Sequence, residues 1–95
     1  MDKAEAKEIL SEQINKFRNL SYLELCRFVS VKNIETPEII GKSGTKYQLE
    51  IQAVWDDKPR RNLRVMVSID AGGWRAFVPL TEDFIIAPDG SFVGE

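Results

Sequence analysis

The sequence predicts an α+β domain of two layers: an N-terminal amphipathic helix and a short second helix, packed on one face of an antiparallel meander sheet of four or more strands. Three observations predict it. Apolar residues near the start recur at helical spacing, at Ala6, Ile9, Leu10, Ile14 and Phe17. From Tyr47 onward the apolar period becomes two. Turn signals rich in glycine, proline or polar residues separate the period-two runs.

The elements follow in order. Asp2 is placed to cap the first helix, with Glu5 three residues later completing a capping-box pair. Glu5, Lys7, Glu8, Glu12 and Lys16 occupy the remaining surface, leaving one apolar stripe. Ser21-Tyr22-Leu23-Glu24 repeats the capping signal, and Tyr22, Leu25, Cys26 and Val29 fit i, i+3, i+4, i+7. A strand reading rests on the alternation of Leu23, Leu25, Val29 and Val31. Arg27 breaks that alternation, so 22–29 is read as helix. The helical part spans 1–30 and the sheet part 34–94.

Pro37 cannot donate a ladder hydrogen bond, which makes the strand through Ile39 and Ile40 an edge. Gly41-Lys42-Ser43-Gly44 is a hairpin turn. Tyr47, Leu49, Ile51, Ala53 and Trp55 alternate with Gln48, Glu50, Gln52 and Val54; after the polar loop 56–62, Leu63, Val65, Val67 and Ile69 alternate with Arg64, Met66, Ser68 and Asp70. Gly72-Gly73 signals a two-residue hairpin loop. The expected register then sets Ala71 against Trp74, Ile69 against Ala76, Val67 against Val78 and Asp70 against Arg75, which gathers the apolar residues on one face. Pro88-Asp89-Gly90 turns between Phe84-Ile85-Ile86 and Phe92-Val93, suggesting a small terminal hairpin. In element order the chain is similar to cystatin-like folds, in which a helix packs on a curved antiparallel sheet. That likeness implies an architecture and no activity.

A chain of 95 residues with 43% apolar and 29% charged residues reads as one folded domain, 1–95. Its longest apolar runs, such as Phe84-Ile85-Ile86-Ala87, fall far short of the roughly 20 residues of a membrane helix, so no membrane association is expected. The first residues have no apolar stretch of the signal-peptide kind. The single Cys26 points to a reducing, cytoplasmic setting. The formal charge of −2 makes nucleic acid an unfavoured partner.

Histidine is absent, which removes the usual general base and the commonest metal ligand. With one cysteine, neither a Cys-His dyad nor a tetrahedral zinc site can be built. No catalytic residues, metal ligands or cofactor are expected. Gly41-Lys42-Ser43 matches the end of a phosphate-binding P-loop, but Thr36 stands where its first glycine belongs, so the segment reads as a turn. Asp89-Gly90 lacks the spaced carboxylates of a calcium loop. Glu5, Glu8 and Glu12 share one helix side and read as a solvated face. Cys26 reads as a small buried apolar side chain.

Three groups remain as binding candidates. Lys58, Arg60 and Arg61 form a basic loop, with Arg64 beyond it. Tyr47, Trp55 and Trp74 are candidate lining of a pocket between helix and sheet. On the sheet face turned away from the helices, Met66 and Phe77 are apolar among polar residues, with Arg64, Arg75 and Glu50 around them; Met, Arg and aromatic residues mark interface cores. The expectation is a small non-enzymatic cytoplasmic interaction domain, binding an unidentified protein or a second copy of itself through that face. Small bacterial antitoxin and toxin-immunity proteins often have this character. The alternatives are a small-ligand domain using the pocket and, after it, nucleic-acid binding through the basic loop.

Overall fold

The computed structural model describes residues 3–29, 34–35, 38–70 and 80–95. Its elements are α1 (Lys3–Arg18), α2 (Tyr22–Cys26), β1 (Ile34–Glu35), β2 (Ile39–Ile40), β3 (Lys46–Trp55), β4 (Leu63–Asp70) and β5 (Leu80–Ile86). The sheet runs β1-β3-β4-β5, with β2 also paired to β3, and each pairing is antiparallel. The two-layer α+β architecture expected from the periodicity is the one observed.

Each element follows from local chemistry. The α1 stripe buries Ala6, Ile9, Leu10 and Ile14. The expected cap at Asp2 lies outside the described residues. Ser21 caps α2 in a full capping box: its hydroxyl accepts from the Glu24 amide at 3.1 Å, while the Glu24 carboxylate accepts from the Ser21 amide at 3.3 Å. Residues 27–29 close the helix end as turns, with Phe28 and Val29 amides bonded to the Leu25 and Cys26 carbonyls. The helical reading of 22–29 therefore holds through Cys26 and ends in turns. β2 has β3 as its partner, and the turn between them closes through the Gly41 amide on the Thr45 carbonyl at 2.9 Å, with Gly44 at φ +87°.

On β3 and β4 every second residue is buried: Tyr47, Leu49, Ile51 and Ala53, then Leu63, Val65, Val67 and Ile69. These face the helical layer and form one core with α1, with Leu25 of α2, and with Phe84 and Ile86 of β5.

One expectation is corrected. The second neighbour of β4 is Leu80–Ile86, so Ile69 faces Leu80 and Val67 faces Glu82, not Ala76 and Val78. A strand has two edges, and β3 and β5 take both edges of β4. This pairing also lays Phe84 beside Val65 and Ile86 beside Leu63 on the buried face. Phe84-Ile85-Ile86 thus belongs to the main sheet. The Gly72-Gly73 loop, Trp74 and the run to Val78 lie outside the described residues.

The turn at Pro88-Asp89-Gly90 forms as expected. Asp89 Oδ1 accepts from the Ser91 amide at 2.9 Å and hydroxyl at 2.6 Å, Gly90 takes φ +90°, and Phe92 bridges back to Ile86. Phe92 then packs edge-on against Phe84, 5.6 Å between centroids, and beneath the Arg18 guanidinium at 4.3 Å. Arg18 also pairs with Glu95. The C-terminal segment is therefore held on the helix side of the sheet, away from Met66.

Candidate functional site

The outward face of β3, β4 and β5 is built by the residues between the buried ones. Its register rows are Val54-Arg64-Ile85, then Gln52-Met66-Asp83, then Glu50-Ser68-Thr81. Val54, Met66 and Ile85 are half-buried there, and Gln52, Glu50 and Thr81 are exposed. The Arg64 guanidinium donates from Nε and a terminal nitrogen to Asp56 Oδ1, at 3.2 and 3.0 Å, and from its other terminal nitrogen to Asp83. Those two carboxylates hold its pKa above the usual arginine value. The face thus carries an apolar strip beside a cation whose orientation is set and whose charge is matched within the chain. Arg75 and Phe77, the other residues expected on this face, lie outside the described residues.

The loop 56–62 places Lys58, Arg60 and Arg61 in solvent at the end of the same sheet. Arg60 adopts φ +65°, and the Arg61 carbonyl accepts from the Tyr22 hydroxyl at 2.6 Å, which ties the loop to α2. Burial, and after it the Cys26 thiol, push the Tyr22 phenol pKa up. Cys26 is half-buried against the core. The fourth basic residue, Arg64, is separated from this loop's charge by its pairing with Asp56 and Asp83.

Tyr47 is fully buried within the core and Trp55 is half-buried against it; Trp74 lies outside the described residues. Concave space is found elsewhere, in a cleft of about 420 Å³ between α1 and the β2–β3 turn. Its apolar lining is Ala4, Ile9, Ile39 and Ile40, and Ile40 is 65% exposed. Glu8 and Glu12 line the helix wall, and Lys42 lies at the end near Glu5.

A link that sequence reasoning missed holds this cleft's walls together. The Glu5 carboxylate accepts from the Ser43 amide at 2.9 Å, the Ser43 hydroxyl at 2.6 Å and the Tyr47 hydroxyl at 2.8 Å. The Ser43 hydroxyl, then its amide, then the Tyr47 hydroxyl lower the Glu5 pKa below the ordinary glutamate value. A Cβ at position 41 would overlap the same carboxylate, so glycine is what lets it approach. The P-loop-like Gly41-Lys42-Ser43 does hold an anion, and the anion is the chain's own Glu5. The signal is invisible locally, because the partners stand 38 residues apart.

Among the described residues, no group of three or more Cys, Asp or Glu could hold a metal ion. Also among them, no helix is long and apolar enough to cross a membrane. These features define a small two-layer α+β domain with a mixed apolar and charged outer face and a cleft at one edge. No protein-family model, curated protein or solved structure matches the chain.

Proposed function

We propose that this chain is a non-enzymatic protein-interaction domain that binds through the outward face of its sheet, in a reducing compartment such as the cytoplasm where Cys26 stays a free thiol. The observation that carries the reading is the Val54-Arg64-Ile85 row beside Met66, with Arg64 held between Asp56 and Asp83. A guanidinium already ordered by two carboxylates loses little further freedom on association. Met and Arg beside half-buried aliphatic side chains have the composition of an interface core. The absence of histidine and the single cysteine support a binding role over catalysis. Nucleic acid is the weaker partner, since Arg64 spends its charge on internal carboxylates.

The test is capture of partners by wild type, by Met66→Asp and by Leu23→Asp, a change at an exposed α2 position outside both faces, with circular dichroism to establish folding and light scattering to detect self-association. A partner, or a dimer, lost in Met66→Asp and kept in Leu23→Asp is the expected result. Capture that is unchanged by Met66→Asp removes the sheet face from the reading.

A further inference from the structure

We propose that the cleft between α1 and the β2–β3 turn is a second binding site, taking an extended partner segment in which basic and apolar residues alternate. This concerns a different face from the sheet surface above and stands independently of it.

The cleft has the dimensions of a short peptide site. Its helix wall runs from Ala4 to Glu12, eight residue steps or about 12 Å of helical rise. Four residues of extended chain cover about the same length. The volume of about 420 Å³ lies in the range of pockets that take side chains rather than water alone.

The two walls differ in chemistry. Glu8 and Glu12 stand one turn apart on α1, both exposed, and among the described residues neither joins an ion pair. Their separation along the axis is about 6 Å. In an extended segment, residues i and i+2 point the same way and lie about 6.7 Å apart. Two cationic side chains so spaced would meet the two carboxylates. The residue between them points the opposite way, toward the wall made by Ile39 and Ile40. Ile40 is 65% exposed, so an apolar side chain laid on it removes surface now in water. Glu5 is engaged by Ser43 and Tyr47, and Lys42 stands at that end, so the open acidic potential sits at Glu8 and Glu12. Charge complementarity thus selects a basic occupant over an acidic one.

The experiment is an NMR titration of the ¹⁵N-labelled chain with a capped synthetic peptide alternating arginine and leucine, five residues long, beside the same peptide with glutamate for arginine. Saturable shifts at Glu8, Glu12, Ile39 and Ile40 are expected with the basic peptide only, weakening as salt is raised. The doubly substituted Glu8→Gln/Glu12→Gln chain, altered only at exposed helix positions, should bind roughly tenfold more weakly. No saturable shift at millimolar peptide, equal binding of the acidic peptide, or undiminished binding by the double variant would overturn the proposal. So would shifts confined to Met66 and Ile85, which would report on the sheet face instead.

Discussion

At the scale of single residues, Glu5 shows how position overrides type. On a helix surface it has the sequence context of a solvated carboxylate, yet it accepts from Ser43 and Tyr47 and clips α1 to the turn. Its pKa is lowered in the folded state, chiefly by the Ser43 hydroxyl. A carboxylate with a depressed folded pKa contributes stability that is complete above its unfolded value, about 4.3 for glutamate, and is lost as pH falls through the folded value. Asp89, lowered by the Ser91 hydroxyl and amide, acts with the same sign. Glu5→Gln should therefore be less stable than wild type at pH 7, with the gap narrowing below about pH 4. Urea unfolding across pH 3 to 7 checks this; coincident profiles would show that the clip contributes nothing.

At the scale of elements, α2 is too short to persist on propensity alone, since isolated helices under about 12 residues are marginal in water. Its five residues depend on the Ser21–Glu24 capping box, on Leu25 in the core and on the Tyr22 hydroxyl reaching the Arg61 carbonyl. Ser21→Ala removes the hydroxyl that accepts from the Glu24 amide and should cost about 1 kcal/mol. The expected reading is a lower urea midpoint with an unchanged slope. A changed slope would mean that α2 unfolds apart from the rest.

At the scale of the whole molecule, one core lies between the helical layer and the sheet, and the Arg18 contacts with Phe92, Phe84 and Glu95 fasten the C-terminal segment to it. Alternation means that inward-facing and outward-facing residues of the sheet contribute very differently. Leu63 is fully buried, and Leu63→Ala should cost about 2–5 kcal/mol through lost contacts and a cavity. Gln52 is exposed on the outward face, and Gln52→Ala should stay within about 0.5 kcal/mol. Thermal or urea unfolding of the pair checks the assignment of faces; comparable losses would place the sheet in another register.

Features that depend on near neighbours are legible along the chain. The apolar stripe of α1, the capping box of α2, the faces of β3 and β4 and the turns at 41–44 and 88–90 all follow from side-chain period and backbone preference, which act over a few residues. Features that depend on competition between distant segments emerge once the chain is folded. Several apolar runs compete for one edge of β4, and Leu80–Ile86 holds it, carrying Phe84 and Ile86 into the core. The same holds for charge. Arg64, a free cation in the sequence, is matched by Asp83 across 19 residues, and Glu5 by Ser43 across 38. The cleft likewise exists only because the fold sets α1 beside β2, and no spacing along the chain encodes that distance.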